Sequence, residues 1–243
     1  MRSEIFDVQQ TLSEEQRRNT MNSDILDLQL PLSEETAREL KLGQMVSVSG
    51  MVFTGRSQFH IRAIERDIFP PIDYQAVNGF FHVGPVMRQG DEGWEIVSIE
   101  PTSSIRFERY GADVVRKFGL RTLIGKTTMG PETAQALREV GGVHLSKIGL
   151  CGNQLAEQVK KIHDVHFLDE LGKTEASWIF ELRRFGPFFV GMDAHGNNYF
   201  EQLDAKARSR MEAINKQLGI PADFDFTNVN ADGADGNTCK DML

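Results

Sequence analysis

Apolar residues recur along the chain in strand-like and helix-like patterns. Alternating or continuous apolar runs predict strands, and apolar stripes at helical spacing between capping residues, Gly and Pro predict helices. Strands are predicted at 25–30, 44–53, 76–83, 94–99, 120–124, 143–148, 165–168, 178–182 and 188–192. Helices are predicted at 34–42, 57–66, 111–117, 131–140, 152–162 and 199–218. The turn residues between 76–83 and 94–99 predict that these two strands form a hairpin.

The order of the elements indicates the fold class. Between 111 and 168, buried strands, Gly-rich turns and short helices alternate, which implies parallel strands joined by crossover helices. The polar N-terminal segment lacks a sustained apolar stripe, and the C-terminal segment is rich in Asp, Asn and Gly. The sequence therefore predicts a single α/β domain at 25–219, with a flexible extension at 1–24 and a disordered tail at 220–243.

Composition and charge exclude several classes of protein. The chain has 243 residues, a net charge of -8 and no cluster of Lys and Arg. A nucleic-acid-binding surface needs such a cluster, so nucleic acid is not an expected partner. No apolar run approaches the roughly 20 residues of a membrane span, and the N-terminal segment lacks the apolar core of a secretory signal. We therefore expect a cytoplasmic protein that does not bind a membrane.

Cysteine usage limits the metal chemistry of the chain. Cys151 and Cys239 are its 2 cysteines. This number is too small for a disulfide framework or a tetrathiolate zinc site. It is also too small for a cubane iron–sulfur cluster. We therefore expect no metal site made by this chain alone.

Hydroxyl groups and cations stand at the ends of predicted elements. The Thr-Ser-Ser run at 102–104 precedes Arg106, Lys126 directly follows the strand at 120–124, and Arg56 follows an earlier strand. Hydroxyls, free backbone N–H groups, a planar guanidinium and an ammonium group together favour a site for a small anion. The alternative is that the cations are solvated surface charges and that the hydroxyls cap a helix.

Two further patterns match known ligand sites only in part. The segment 119–127 resembles a phosphate-binding P-loop, but 120–124 inside it is itself an apolar strand where that motif needs a loop. Nucleotide binding is therefore a minor alternative. The segment 228–233 resembles the start of a calcium-binding EF-hand loop, but Cys239 stands where the bidentate Glu belongs. Calcium binding is therefore not expected.

Four separated motifs occur in a characteristic order and spacing. They are Gly-Arg at 55–56 with His60, Pro-Thr-Ser-Ser-x-Arg at 101–106, Gly-Lys-x-x-Met-Gly at 125–130 and Asp-x-His-Gly-Asn at 193–197. Together they resemble the β-subunit, or C-terminal domain, of class I fumarate hydratases and L-tartrate dehydratases. The resemblance covers about 30–201. The segments 84–98 and 185–187 are more similar to the tartrate dehydratase branch.

The resemblance implies a fold, a partner and a reaction. The expected fold is a swivelling β/β/α domain, and the expected partner is a separate α-subunit that holds a [4Fe–4S] cluster. The expected assembly is a heterotetramer of two α- and two β-subunits. The expected reaction is the reversible dehydration of a 2-hydroxy dicarboxylate, either L-tartrate to oxaloacetate or malate to fumarate. The cysteine count agrees with a cluster held by the partner.

The resemblance also implies roles for individual residues. The substrate-binding residues that it implies are Arg56, Arg106, Ser103 and His60. The catalytic residues that it implies are Thr102 and Lys126. Elimination of water from a dicarboxylate builds negative charge, which fixed cations stabilise. Thr102 is expected to act as the base or to orient it, and His60 is expected only to support Arg56.

The chain departs from the family pattern beside the expected pocket. Where the family usually has Gly, Asp and two further Gly, this chain has Glu100, Ser57, Thr127 and Thr128. Each change borders an expected pocket residue without replacing it. We therefore expect hydro-lyase chemistry, and these changes leave open which 2-hydroxy dicarboxylate is the substrate. The alternative is a catalytically degenerate module on the same fold that binds a small anion or regulates another protein.

Overall fold

A computed structural model of the chain describes residues 25–91, 93–149, 151–221 and 224. The predicted extension at 1–24, the calcium-like pattern at 228–233 and most of the predicted tail at 220–243 lie outside these residues. The chain divides into two units, Met1–Phe200 and Glu201–Leu243, which are described separately.

The bounds of the elements follow the apolar pattern of the sequence. The strands are β1 Leu26–Gln29, β2 Met45–Gly55, β3 Gly79–His82, β4 Val86–Gly90, β5 Gly93–Ser98, β6 Thr122–Gly125, β7 Val143–Lys147, β8 Val159–His166 and β9 Ser177–Met192. The helices are α1 Glu34–Glu39, α2 Ser57–Glu65, α3 Glu108–Phe118, α4 Pro131–Val140, α5 Gly152–Ala156, α6 Leu168–Glu175 and α7 Tyr199–Leu218, with a 3₁₀ turn at Ser104–Phe107.

The first unit is built on a mixed sheet with the strand order β1-β2-β3-β6-β7-β9-β8. Strands β1, β2, β3, β6 and β7 run parallel, whereas β8 and β9 are antiparallel to their neighbours. The long strand β9 also pairs with β2, so that β2, β3, β6, β7 and β9 form a closed ring of hydrogen-bonded strands. The predicted α/β class is confirmed, with antiparallel strands added to the predicted parallel ones.

Both faces of the parallel strands are buried. Neighbouring residues on a strand point to opposite faces. Val52 and Phe81 belong to a core shared with the buried side chains of β9, whereas Phe53 and Phe80 belong to a second core shared with α2, α3 and α4. A strand that is covered on both sides needs apolar residues at successive positions. This double burial explains why these strands are continuous apolar runs in the sequence.

Several predicted elements after residue 152 were wrong. The predicted helix at 152–162 ends at Ala156, and its second half belongs to β8. The predicted strand at 165–168 comprises the end of β8 and the start of α6. Val159, Ile162 and Val165 pack against a core, and pairing with β9 holds them in a strand. Short apolar runs fit either element type, and here the tertiary pairing decides between them.

Two predictions about strand pairing also changed. The hairpin consists of β4 and β5, whereas the predicted partner at 76–83 forms the central strand β3. The strand β4 was missed because exposed polar residues dominate it. The predicted strands at 178–182 and 188–192 are one strand, β9, whose pairing with β2 shifts register. On its other side the same strand pairs with β8 over its first part and with β7 over its last part.

The described part of the second unit consists mainly of helix α7, which begins in the first unit and whose predicted bounds are confirmed. Four apolar side chains of this helix are exposed, namely Leu203, Met211, Ile214 and Leu218. Within the described residues, no helix combines the length and the apolar character needed to span a membrane.

Candidate active site

The parallel strands β2, β3, β6 and β7 end on one side of the sheet, which we call the carboxyl edge. The register pairs the last residue of β2 with the last residue of β3, and it likewise brings the ends of β6 and β7 to the same level. Arg56 immediately follows β2, and Lys126 immediately follows β6. Both cations therefore leave the sheet at the carboxyl edge, which is the side where ligands bind both in open α/β sheets and in barrels of parallel strands.

The segment with three hydroxyl residues is anchored to the same edge. The backbone N–H of Thr102 donates to the carbonyl oxygen of His82 at 2.7 Å, and that of Ser104 donates to the carbonyl oxygen of Lys126 at 2.9 Å. Ser103 forms a parallel bridge with Lys126. The backbone of the Thr-Ser-Ser run is thereby held between the ends of β3 and β6, directly beside Lys126.

Two cations at the carboxyl edge carry charge that no described residue compensates. Arg106, in the 3₁₀ turn that follows the hydroxyl run, and Lys126 are both exposed. In the part of the chain that the structure describes, the side chains of these two residues form no ion pair or hydrogen bond. The nearby carboxylate of Glu100 pairs with Lys147 instead. The edge therefore presents two positive charges that a small anion can approach.

The side chain of Arg56 lies in a narrow passage between the end of β3 and helix α6. Its Nε is buried without a hydrogen-bond partner among the described residues and lies 3.8 Å from Glu175 Oε1. Glu175 Oε2 accepts a hydrogen bond from the backbone N–H of Gln58 at 3.0 Å. A Cβ at Gly84 would lie 2.6 Å from Arg56 Cδ and 2.5 Å from the carbonyl oxygen of Thr174. Only glycine leaves room for this arginine at Gly84.

His60 supports the backbone of Arg56 from below the surface. The imidazole is fully buried and stacks on Phe107, with 4.4 Å between the ring centroids. Burial lowers the pKa of His60 to about 4, so the ring is neutral at neutral pH. Because a carbonyl oxygen only accepts, Nδ1 carries the proton and donates to the carbonyl oxygen of Arg56 at 2.7 Å. The structure thus places His60 against the Arg56 backbone and away from solvent.

A second buried cluster lies beneath the hydroxyl run. Ser104 Oγ is 3.0 Å from His82 Nδ1 and 3.0 Å from His144 Nε2, and all three side chains are buried. Desolvation lowers the pKa of His144 to about 4. Desolvation, together with the nearby His60 and His144, holds the pKa of His82 well below its usual value. The cluster is therefore neutral at neutral pH.

The loop after Lys126 keeps a backbone conformation that favours glycine. Thr127 has a φ of 66°, in the left-handed region, which costs a residue with a side chain roughly 1–2 kcal/mol. Its carbonyl oxygen accepts a hydrogen bond from Ser146 Oγ at 2.6 Å, and Asn198 Nδ2 donates to Thr128 Oγ1 at 2.8 Å. These bonds hold the loop in place although threonines replace the glycines of the family pattern.

Glu108 fixes the far end of this loop. Its carboxylate accepts hydrogen bonds from the backbone N–H of Gly130 at 2.6 Å and from the backbone N–H and hydroxyl of Thr133 at 3.2 and 2.7 Å. A carboxylate at the start of a helix satisfies donors that have no partner within the helix. Glu108 therefore caps α4 and ties α3 to the loop that begins at Lys126.

The fourth motif forms a turn that closes β9. Asp193 Oδ1 accepts hydrogen bonds from the backbone N–H groups of His195 and Asn197, both at 2.9 Å. The residue after this turn is Asn198, which contacts Thr128 in the loop after Lys126. The motif therefore supports the site through the backbone and through its neighbour.

The described residues do not fit a metal cluster. Among them, no group of three or more His, Cys, Asp and Glu side chains is placed to hold a metal ion. Cys151 is free and exposed, and Cys239 lies outside the described part of the chain. An iron–sulfur cluster needs several thiolates, so these residues alone do not provide its ligands.

Sequence reasoning named Ser104 only as one of three hydroxyls that favour an anion site, and it missed four residues that shape the site. The missed residues are His82, His144, Glu108 and Glu175. One signal was available, because His82 and His144 each interrupt an otherwise apolar strand, and a buried polar group needs a partner. The pairing partners themselves come from distant parts of the chain, so spacing along the sequence does not reveal them.

Comparisons with known proteins agree with the motifs. The family described as Fumarase C-terminus matches residues 3–203. A protein of Methanocaldococcus jannaschii with the provisional name L(+)-tartrate dehydratase subunit beta is 33% identical over 186 residues, which cover 75% of this chain and 93% of that protein. The L(+)-tartrate dehydratase subunit beta of Escherichia coli strain K12 is 32% identical over 183 residues, which cover 74% of this chain and 89% of that subunit.

A third relative is longer than this chain. A provisionally named class I fumarate hydratase of Geobacillus stearothermophilus is 36% identical over 184 residues, which cover 74% of this chain but 34% of the relative. The predicted resemblance is thereby confirmed. With a family match over most of its length and relatives above 30% identity, the chain belongs to the Fumarase C-terminus family.

Proposed function

We propose that the chain is the β-subunit of an iron–sulfur hydro-lyase that reversibly dehydrates a 2-hydroxy dicarboxylate, either L-tartrate to oxaloacetate or malate to fumarate. The observation that carries this proposal is a pair of exposed cations, Arg106 and Lys126, which lie beside the Thr102 segment at the carboxyl edge and have no ion-pair partner in the described parts of the chain. The names of the relatives, tartrate dehydratase subunit beta and class I fumarate hydratase, support it.

Each polar group has a role in binding and elimination. The guanidinium groups of Arg56 and Arg106 bind the substrate carboxylates, since a planar fork matches a carboxylate, and Ser103 adds a hydroxyl donor. Lys126 stabilises the negative charge that develops as the proton leaves carbon. Thr102 Oγ1 takes that proton or orients the group that takes it. A threonine hydroxyl is a weak base, so we expect an activating group from the partner.

The partner supplies the other half of the site. The side chains of Arg106 and Lys126 face solvent, and the described residues of this chain hold no metal-binding cluster. An α-subunit with a [4Fe–4S] cluster closes the site, and the cluster supplies Lewis-acid chemistry when bound. We propose a cytoplasmic heterotetramer of two α- and two β-subunits. For residues 25–219 we propose the swivelling β/β/α fold that the resemblance implies, and the cores on both faces of the sheet agree with its α/β class.

A second candidate is a degenerate module that binds a small anion without catalysis. It is favoured by Thr127 and Thr128, whose side chains stand where the family pattern has glycines and could narrow the pocket. Both candidates predict anion binding at the carboxyl edge. They differ in whether the complete complex turns over substrate.

Anaerobic co-purification with a cluster-bearing α-subunit from the same organism tests the proposal. We expect a stable complex that converts L-tartrate to oxaloacetate or malate to fumarate, whereas the isolated chain is inactive. A complex with an intact cluster that converts neither acid would contradict the hydro-lyase proposal. Calorimetric binding of tartrate to that inactive complex would then favour the degenerate module, and a thermal shift with ATP would favour the nucleotide alternative.

A further inference from the structure

The hydroxyl of Ser104 stands at the junction of three strands. Its oxygen contacts His82 at the end of β3 and His144 in β7, each at 3.0 Å. Its backbone N–H donates to the carbonyl oxygen of Lys126, directly after β6, at 2.9 Å. Ser104 therefore contacts two strands of the parallel sheet and the residue that follows a third, although it belongs to none of them.

We propose that Ser104 is a positioning residue that locks the 101–106 segment onto the carboxyl edge and so sets Thr102 and Arg106 for the reaction. Thr102 lies two residues before Ser104, and Arg106 lies two residues after it. With its side chain and its backbone both tied, Ser104 cannot rotate or lift without breaking hydrogen bonds. The backbone of Thr102 and Arg106, on either side of Ser104, is thereby held in a fixed position.

The fit of Ser104 against Gly125 supports this role. A Cβ at Gly125 would lie 1.8 Å from Ser104 Oγ and 3.1 Å from His144 Nε2. The hydroxyl therefore occupies the space that any larger side chain at Gly125 would need. This contact joins two of the four motifs, because Gly125 precedes Lys126 and Ser104 lies between Thr102 and Arg106. It also explains the glycine of the Gly-Lys motif in physical terms.

The hydrogen-bond chemistry of the cluster is self-consistent. A serine hydroxyl has one proton to donate and two lone pairs that accept. Both neighbouring imidazoles are buried, and burial holds both in the neutral form, in which each ring has one donor and one acceptor nitrogen. Ser104 can therefore satisfy His82 Nδ1 and His144 Nε2 together. Loss of the hydroxyl leaves both buried nitrogens without this partner, which is costly in a dry interior.

Amide hydrogen exchange tests the proposal without any activity. We expect Ser104→Ala to accelerate exchange of the Thr102 and Ser104 amides by about tenfold or more, because local opening becomes easier. The amide of Leu30, which bonds to Ser49 on the far side of the sheet, should keep its rate. The matched control is Thr122→Val, because Thr122 Oγ1 is buried without a hydrogen-bond partner in the described residues. It should leave all three rates unchanged.

Two results would overturn the locking role. One is unchanged exchange at Thr102 and Ser104, and the other is an equal acceleration of all three amides, which would show a general loss of stability. If Ser104→Ala does not fold, His144→Phe replaces it, since this variant keeps a ring and removes one of the two side-chain bonds. The same two amides should then accelerate by a smaller factor, and unchanged rates would again contradict the proposal.

A kinetic test addresses the positioning of the reactive groups and rests on the proposed function. In the complex with the α-subunit, we expect Ser104→Ala to lower kcat by about a hundredfold, the usual effect of a small misplacement, while Thr122→Val keeps the wild-type kcat. Wild-type kcat in Ser104→Ala would overturn the positioning role. An inactive wild-type complex would instead contradict the proposed function and leave the exchange test of Ser104 intact.

Discussion

The two edges of the parallel sheet both carry Lys and Arg side chains, but these cations differ in whether a carboxylate lies next to them. The amino edge, where β3 and β6 begin, borders a cleft of about 600 Å³ lined by Asn78, Lys117 and Arg121. Lys117 pairs there with the carboxylate of Asp67, and Arg121 lies 3.8 Å from Glu34 Oε2. The carboxyl edge instead leaves its exposed cations without partners among the described residues.

The two edges also differ in how many of their buried polar groups are paired. At the amino edge even the amide of Asn78 is satisfied, since it accepts from the backbone N–H and donates to the carbonyl oxygen of Leu32. Of the four side-chain atoms that are buried without hydrogen-bond partners in the described part of the chain, Arg56 Nε, His60 Nε2 and His144 Nδ1 belong to the carboxyl edge, whereas Thr122 Oγ1 lies at the start of β6 on the amino edge. Most of these unsatisfied atoms therefore lie at the carboxyl edge, where a bound water, ion or ligand would satisfy them.

The largest expected effect is on turnover at the carboxyl edge. In the assembled complex, Arg106→Ala should lower kcat/KM for the dicarboxylate by about a hundred- to a thousandfold, because one fixed charge is lost where negative charge develops. Its thermal stability should match that of the wild-type chain, since the side chain is exposed and has no partner among the described residues. Steady-state kinetics and thermal unfolding check the two expectations. Full activity of Arg106→Ala would remove this residue from the site.

A pH effect on stability should come from the buried histidines of the carboxyl edge. Burial lowers the pKa of His60 and of His144 to about 4, so below about pH 6.5 the unfolded chain binds protons that the folded chain does not. Stability should therefore fall as the pH decreases from about 6.5 towards 4, by at most about 2 kcal/mol per histidine between pH 7 and pH 5.

Denaturant unfolding at pH 7 and pH 5 measures this loss. His60→Phe keeps an aromatic ring beside Phe107 and removes one titrating group, so its loss of stability between the two pH values should be smaller than that of the wild-type chain. An identical loss of stability in both proteins would show that the protonation of His60 does not contribute to the pH effect.

The contact between two motifs predicts an intermediate effect. Gly125→Ala should destabilise the chain by roughly 1–3 kcal/mol, the usual cost of overpacking, because the new Cβ would meet Ser104 Oγ. The matched control is Gly119→Asn at the amino edge. Gly119 has a φ of 61°, and a Cβ added there would meet no atom within 4 Å, while Asn tolerates this conformation. Equal stability losses in both variants would contradict the proposed fit at Gly125.

The smallest effect is expected for the paired cation of the amino edge. Lys117→Ala should lower stability by about 0.2–1 kcal/mol, the usual value of an exposed ion pair, and should leave the turnover of the complex unchanged. Denaturant unfolding and steady-state kinetics measure the two quantities. A loss of turnover comparable to that of Arg106→Ala would mean that the comparison of the two edges is mistaken.

Much of the fold could be predicted because apolar residues recur at a different spacing in most strands than in most helices. Helix α4 has its predicted bounds, as Pro131 starts it and glycines follow its end. The region after residue 152 could not be predicted in this way, because β8 owes its structure to pairing with β9. The closed ring is equally non-local, since it depends on the long strand β9 reaching back to β2.

The candidate site was predictable only where residues follow strand ends. Arg56 and Lys126 stand directly after apolar strands, so their common edge follows from parallel pairing. The partners of Ser104 come from residues 22 and 40 positions away, and Glu175 lies 117 positions from Gln58. Such contacts depend on the completed fold, so the sequence pattern gives no local signal for them.

The most direct test of the central claim compares one cation from each edge in the same complex. Lys126→Ala and Lys117→Ala are each combined with the α-subunit under anaerobic conditions, and the initial rates of L-tartrate and malate dehydration are measured. We expect the rate of Lys126→Ala to fall by about a hundredfold or more and that of Lys117→Ala to equal the wild-type rate. Equal rates for the two variants would contradict a catalytic site at the carboxyl edge.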